Sequence, residues 1–96
     1  MKNELFLCSL FDYYGELLTD KQNEYFQDYY FDNLTLSEIS ENNNISRNAV
    51  HKTIKEAEEK LIFYEEKLNL VKKSEKIKKI INKLDDGIKN EIYKLI

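Results

Sequence analysis

Five side chains with the chemistry of nucleic-acid recognition lie close together in the middle of the chain. They are Arg47, Asn48, His51, Lys52 and Lys55, here called the basic face. On a helix, spacings of three and four residues place side chains on one side. Arginine and lysine donate to phosphates and to guanine acceptors, and asparagine pairs with the edge of adenine. The pattern predicts a helix face that reads duplex DNA, and a solvated helix surface is the alternative.

The residues before the basic face have the pattern of a helix-turn-helix. Thr35 and Ser46 are placed to cap two successive helices, because their hydroxyls accept from first-turn amide groups. Asn43 and Asn44 suit the left-handed backbone of the turn between those helices. We expect Ile45 to fill the space between the helices. In DNA-binding proteins this motif places the second helix in the major groove, so Ser46 joins the candidate contacts.

Two features limit the predicted interface. Asn43 stands where an apolar side chain usually packs the turn, and a buried amide without a partner is costly. Glu56, Glu58 and Glu59 follow the basic face by one turn and repel phosphate. We therefore expect a small footprint whose modest affinity depends steeply on salt.

A second basic stretch lies near the C-terminus and predicts a secondary polyanion contact. Its candidate residues are Lys72, Lys73, Lys76 and Lys79. The charge of the chain is also polarised. Residues 1–46 hold two lysines against nine acidic residues, whereas residues 47–96 hold thirteen basic residues against nine acidic ones. A polyanion is therefore expected on the C-terminal half, and a solvated lysine-rich surface is the alternative.

Catalytic and metal-binding patterns are missing from the sequence. His51 is the only histidine and Cys8 the only cysteine, and neither has a partner at metal-ligand spacing. No glycine-rich phosphate loop is present. We expect no enzymatic activity, metal or cofactor. No apolar stretch approaches the roughly 20 residues of a membrane span. With a single thiol, we expect a cytoplasmic chain with no membrane partner.

The composition predicts an all-α protein, since the chain has no proline, two glycines and 34% charged residues. Apolar periodicity and capping signals, among them Thr19 with Gln22, predict a five-helix bundle. The expected helices cover about residues 3–18, 19–31, 36–42, 46–69 and 71–96. The Asp85-Asp86-Gly87 segment could break the last of them.

Apolar seams run along the last two predicted helices. The first is formed by Val50, Ile54, Ala57, Leu61, Tyr64 and Leu68, and the second by Ile77, Ile81, Leu84, Ile88, Ile92 and Leu95. Their heptad-like spacing lets them pack as an antiparallel helical hairpin or across a homodimer. We accordingly divide the chain into a helix-turn-helix domain at 1–70 and a lysine-rich C-terminal helix at 71–96, packed on that domain or on a dimer partner.

Five blocks of the chain resemble the YlxM family of small bacterial helix-turn-helix proteins. They are LFDYYGELLT, K-Q-x-x-Y-F-x-x-Y-Y-F, LTLSEI, I-S-R-x-A-V-H and Y-E-x-K-L-x-L. The blocks cover about residues 10–70, whereas residues 71–96 match only in being helical and lysine-rich.

The resemblance implies an all-helical fold similar to region 4 of bacterial sigma factors, whose second motif helix reads the major groove. It points to Ser46, Arg47, Asn48 and His51 as recognition-helix candidates. It also implies an accessory role in the signal recognition particle pathway. We therefore expect a nucleic-acid-binding regulator whose partner is duplex DNA or the particle's RNA. The alternative is a protein-interaction module that binds the particle's GTPase or its RNA, with the helix-turn-helix as scaffold.

Overall fold

The computed structural model describes residues 3–96, and that part of the chain is helical without strands. Its elements are α1 (Glu4–Tyr14), a 3₁₀ turn (Gly15–Leu17), α2 (Asp20–Tyr30), α3 (Leu36–Asn43), α4 (Arg47–Leu68), α5 (Leu70–Ile81) and α6 (Asp86–Tyr93). The all-α prediction is confirmed. The first two residues of the predicted 1–70 domain lie outside the described range. None of the helices described there has the length and apolarity to cross a bilayer.

Threonine caps start the second and third helices as predicted. The Thr19 hydroxyl accepts from the Gln22 amide, and the Gln22 side chain accepts from the Thr19 amide. Thr35 and Glu38 form the same reciprocal pair at the start of α3. The prediction of one helix over residues 3–18 was too long. An N-cap needs extended backbone, so the chain must leave the helical conformation before Thr19.

The prediction of five helices was wrong, because the last expected helix is divided in two. The Asp85 carboxylate accepts from the Ile88 amide at 3.0 Å and starts α6. Asp85 itself has extended backbone, which ends the continuous helix at Ile81. The aspartate cap is therefore the physical cause of the break that Asp85-Asp86-Gly87 suggested.

Helix α4 is the central helix of the folded core. Its Val50 and Ile54 lie in one buried cluster with Tyr25 and Ile39. Farther along α4, a second cluster is formed by Leu7, Leu10, Tyr14, Leu18, Phe26, Ala57, Leu61 and Val71. The first helical seam is thus buried from Val50 to Leu61. The helices before α4 wrap around it and hold its N-terminal end in place.

Residues 70–96 form an arm that extends beyond the body, residues 3–68. The described chain measures 53 × 25 × 24 Å, with a radius of gyration of 16.6 Å. A compact chain of this length has a radius of about 12 Å. Leu68 and Ile77 both remain exposed, so the two predicted seams do not pack along each other. Helix α5 contacts α1, through a cluster that includes Val71.

A buried carboxylate fixes where the arm leaves α4. Glu65 accepts from the Tyr14 hydroxyl at 2.7 Å and from the amides of Val71 and Lys72. Asn69 has left-handed backbone, with φ at 55°, and turns the chain between α4 and α5. Burial, and then the hydrogen bond to Glu65, raises the pKa of Tyr14. Glu65 therefore caps α5 from the preceding helix and ties the arm to the body.

Candidate nucleic-acid interface

The turn of the helix-turn-helix is closed by backbone and side-chain hydrogen bonds. Asn44 has left-handed backbone, with φ at 53°, and its amide donates to carbonyls of the last turn of α3. The Ile45 amide also donates to the Ser40 carbonyl. The Asn43 side-chain amide donates to the Ile39 carbonyl at 2.8 Å. Asn43 therefore has a partner, and the polar residue at this position is compatible with the turn.

Ile45 does not fill the space between α3 and α4, contrary to the expectation from the sequence. Its side chain is 37% exposed. Ile39, Val50 and Ile54 fill that space together with Tyr25. Ile45 follows immediately after the left-handed Asn44, and the turn leaves its side chain at the rim.

Ser46 starts the helix that carries the basic face. Its hydroxyl oxygen accepts from the Ala49 amide at 3.1 Å, which makes Ser46 the N-cap of α4. The preceding first-turn amides, those of Arg47 and Asn48, are the groups that a helix leaves for an external acceptor. The positive end of the helix dipole lies at the same place and favours phosphate. Ser46 thus fixes the start of α4 and satisfies one of its first-turn amides.

The basic face is fully presented to solvent. Arg47, Asn48, His51, Lys52 and Lys55 are all exposed, while Val50 and Ile54 on the adjacent side of α4 are buried. Arg47 lies at the border of the two sides, seven residues before Ile54. Within residues 3–96, no salt bridge engages its arginine or either of its lysines. Burial of one side of α4 therefore forces these side chains outward, where they can contact an external ligand.

The acidic residues that follow differ in their surroundings. Glu56 and Glu59 are exposed and continue the outward surface of α4. Glu58 instead accepts a hydrogen bond from the Tyr30 hydroxyl of α2. Burial, and then this hydrogen bond, raises the pKa of Tyr30 well above the ordinary tyrosine value. The basic face is therefore limited to about the first two and a half turns of α4.

A cleft of about 290 Å³ opens beside the basic face. His51 and Lys55 line it together with Tyr29 of α2 and Leu36 of α3. Tyr29 and Leu36 are not among the contact residues that the sequence predicts. Because these residues come from two other helices, no local pattern places them next to His51. They add an aromatic and an apolar surface to one flank of the basic face.

The lysines of the predicted secondary contact are all exposed on α5. Lys72, Lys76 and Lys79 share one side of the helix, since they are four and three residues apart, and Lys73 lies beside them, three residues before Lys76. The part of α4 between Lys55 and Leu68 spans about 20 Å and separates these lysines from the basic face. The two basic regions are therefore distinct surfaces.

Comparison with known proteins gives matches along nearly the whole chain. Residues 1–95 match the UPF0122 family, described as "Putative helix-turn-helix protein, YlxM / p13 like". A UPF0122 protein of Caldanaerobacter subterraneus subsp. tengcongensis is 52% identical over 84 residues, which cover 88% of this chain and 72% of the relative. A UPF0122 protein of Listeria monocytogenes serotype 4b is 46% identical over 76 residues, which cover 79% of this chain and 69% of the relative. These matches confirm the resemblance drawn from the sequence blocks.

Proposed function

The chain belongs to the UPF0122 family of helix-turn-helix proteins, and we propose that it is a non-enzymatic regulator that binds duplex DNA through the start of α4. The single observation that carries this proposal is the basic face itself. Five donor side chains project from the first turns of a capped helix, and their outward position is fixed by the buried Val50 and Ile54. The family description names a helix-turn-helix and no enzymatic activity.

The proposed docking places the N-terminal end of α4 in the major groove. Arg47 and Asn48 lie at that end, where recognition helices contact base edges. Lys52 and Lys55 lie farther along the helix and contact phosphates that border the groove. Likeness to sigma-factor region 4 remains a prediction that agrees with this docking.

Affinity in this proposal is modest and comes mostly from phosphate contacts. Glu56 and Glu59 are exposed beyond the basic face and oppose a longer contact with the duplex. Neutralising about two phosphates with Lys52 and Lys55 gives a slope of about −2 when the logarithm of the binding constant is plotted against the logarithm of the salt concentration. A chain that binds in this way acts on cytoplasmic nucleic acid, and this location is part of the proposal.

Fluorescence anisotropy with labelled random-sequence duplex DNA tests the proposal. We expect saturable binding at low salt that weakens steeply as salt is added. The Arg47→Glu/Lys52→Glu variant should lose binding, because it reverses two charges on the basic face. Helicity measured by circular dichroism should stay unchanged, since both residues are exposed.

A matched control reverses two positive charges outside the basic face. Lys67→Glu/Lys94→Glu changes the net charge equally but leaves the basic face intact. It should keep most of the affinity. Equal losses in both variants would mean that only the overall charge matters, and full binding by Arg47→Glu/Lys52→Glu would exclude α4 as the reader.

A second candidate ligand is RNA, including the signal recognition particle RNA suggested by the family resemblance. The exposed row of Lys72, Lys76 and Lys79 favours it, because that row suits phosphates along a backbone. The RNA would be shown to bind the arm if two results hold. The Arg47→Glu/Lys52→Glu variant should still bind it, and the Lys72→Glu/Lys76→Glu variant should not. Binding to neither nucleic acid would favour a protein partner, with the GTPase of the particle as the first to test.

A further inference from the structure

The side of the molecule where α1 meets the arm carries apolar side chains that the chain itself does not cover. On α1, Leu5 is 80% and Phe6 43% exposed. On α5, Ile80 is 67% exposed and Ile77 lies one turn before it. Contiguous exposed apolar surface of this kind marks an interaction site in a folded protein.

Each of these two helices combines its apolar residues with a net charge of one sign. Leu5, Phe6, Asp12 and Tyr13 are exposed along α1 and form an acidic, apolar stripe, here called the α1 stripe. Leu70, Lys73, Ile77 and Ile80 are exposed along α5 and form a basic, apolar stripe, here called the arm stripe. In the α1 stripe two neighbouring residues recur after seven positions, and in the arm stripe the residues are three and four apart, so each set lies on one side of its helix.

The charges of the two regions are complementary over a wider area. The arm holds eight lysines against four acidic residues, whereas the body holds six basic residues against fourteen acidic ones. Two arms placed side by side would repel each other, because both are basic. When the arm of one copy packs on α1 of another copy, the basic arm faces the acidic body.

The helices that carry the two stripes are neighbours within one chain, since α1 and α5 are in contact. A cleft of about 320 Å³ lies where they meet α4, and Phe6, Ile62 and Val71 line it together with acidic side chains that include Glu66 and Glu75. In a twofold-symmetric interface the same surface of both copies is used, so that surface must contain two parts that complement each other. Stripes of opposite charge on adjacent helices meet this requirement.

We propose that the occupant of this surface is a second copy of the chain, bound so that the arm stripe of each copy covers the α1 stripe of the other. The pairing is reciprocal and forms a closed homodimer. It uses none of the residues of the basic face, so it leaves both copies of α4 able to bind nucleic acid. Formation of the dimer does not depend on the proposed DNA binding, and the two are tested separately, since the dimer test contains no nucleic acid.

Sedimentation velocity over a range of protein concentrations tests the proposal. We expect a monomer–dimer equilibrium whose dissociation constant rises as salt increases from about 50 mM to about 500 mM, because opposite charges are screened. A chain that stays monomeric at every concentration would overturn the proposal. A dimer that tightens with salt would also overturn it, since like-charged arms would then be in contact.

Two variants break the two halves of the interface separately. Leu5→Ser/Tyr13→Ser removes two of the three apolar side chains of the α1 stripe, and Ile77→Ser/Ile80→Ser removes two of the three of the arm stripe. A symmetric dimer has two junctions, and each junction is formed by the arm stripe of one copy and the α1 stripe of the other. Each variant weakens both junctions and should therefore raise the dissociation constant by at least about tenfold. Circular dichroism checks that both variants keep their helices.

Mixing the two variants gives the most selective readout. A mixed dimer has one intact junction, formed by the arm of the first variant and α1 of the second. The mixture should therefore associate more tightly than either variant alone. No gain on mixing would overturn reciprocal pairing.

Phe63→Ser is the matched control, because Phe63 is 51% exposed on α4 and belongs to neither stripe. Its dissociation constant should equal that of the unmodified chain. A tenfold loss in this control would show that the dimer uses another surface.

Discussion

The body and the arm are built from similar helices but differ in what their apolar residues contact. In the body, Val50, Ile54 and Leu61 of α4 are buried by the three preceding helices. In the arm, Ile80, Leu84 and Ile88 are exposed. A heptad-like pattern therefore specifies an apolar side of a helix, but the presence of a partner decides whether that side becomes core.

This contrast also separates stability from recognition. The body supplies the cooperative core that holds the basic face in position. The arm depends on one buried anchor, Glu65, and on a few contacts around Val71 and Ile81. Changes in the body should therefore unfold the protein, whereas changes in the arm should alter what the protein binds.

The largest expected difference comes from truncating one apolar side chain in each region. Leu61→Ala should lower the free energy of unfolding by about 2–5 kcal/mol, because Leu61 is fully buried. Ile80→Ala should change it by less than about 0.5 kcal/mol, measured at protein concentrations where the chain is monomeric. Urea denaturation followed by circular dichroism measures both. An equal loss of unfolding free energy in the two variants would show that Ile80 of the arm belongs to the core.

Removing the anchor of the arm should have an intermediate effect. Glu65→Ala leaves the Val71 and Lys72 amides and the Tyr14 hydroxyl without their acceptor, at a cost of roughly 1–3 kcal/mol. Hydrogen exchange should accelerate first in the opening turn of α5. Glu66→Ala is the control, because Glu66 is exposed. Unchanged exchange in α5 would show that Glu65 does not hold the arm.

Loss of a helix cap should have different consequences in the two regions. Thr35→Ala removes the cap of α3 in the body and should lower global stability by about 1 kcal/mol. Asp85→Ala removes the equivalent cap of α6 in the arm. It should fray α6 without moving the urea midpoint, because α6 is only partly buried. A midpoint shift in Asp85→Ala as large as that in Thr35→Ala would contradict the distinction.

Alkaline pH should weaken the body through the buried Tyr14 and the half-buried Tyr30. Burial raises the pKa of Tyr14 and of Tyr30, with hydrogen bonds to carboxylates adding to the effect. An unfolded tyrosine titrates near about pH 10, so above that pH the folded chain binds more protons than the unfolded one. Stability is then constant below about pH 10 and falls as pH rises further.

The Tyr30→Phe variant isolates this alkaline effect. Its free energy of unfolding should fall less steeply above about pH 10 than that of the unmodified chain. The reason is that Tyr30 no longer contributes to the difference in bound protons between the folded and unfolded states. Tyr13→Phe is the control, since Tyr13 is largely exposed. Urea denaturation at a series of pH values gives the slopes. Parallel slopes for Tyr30→Phe and the unmodified chain would rule out Tyr30 as a contributor.

Much of the fold follows from short-range signals that the sequence displays. Thr19, Thr35 and Ser46 each cap a helix because their partners lie three residues ahead. Asn44 supports the turn because asparagine tolerates left-handed backbone. Exposure of the basic face follows from the buried seam on the adjacent side of α4, so the outward position of those residues was also predictable.

The rest depends on contacts between residues far apart in the sequence. Glu65 lies beside an apolar seam, and its buried role appears only when Tyr14, fifty-one positions away, reaches it. Tyr29 and Leu36 approach His51 through tertiary packing as well. The two seams have similar spacing, and no local signal reveals that most of the first is buried within the chain whereas most of the second is exposed. Tertiary packing decided each of these outcomes.

An amide chemical-shift map of the chain titrated with duplex DNA at low salt tests whether the start of α4 contacts nucleic acid. We predict that the perturbed amides cluster at residues 46–55, with little change in α6 and in the second half of α4. Perturbations confined to α5, or the absence of any at low salt, would show that the start of α4 does not contact nucleic acid.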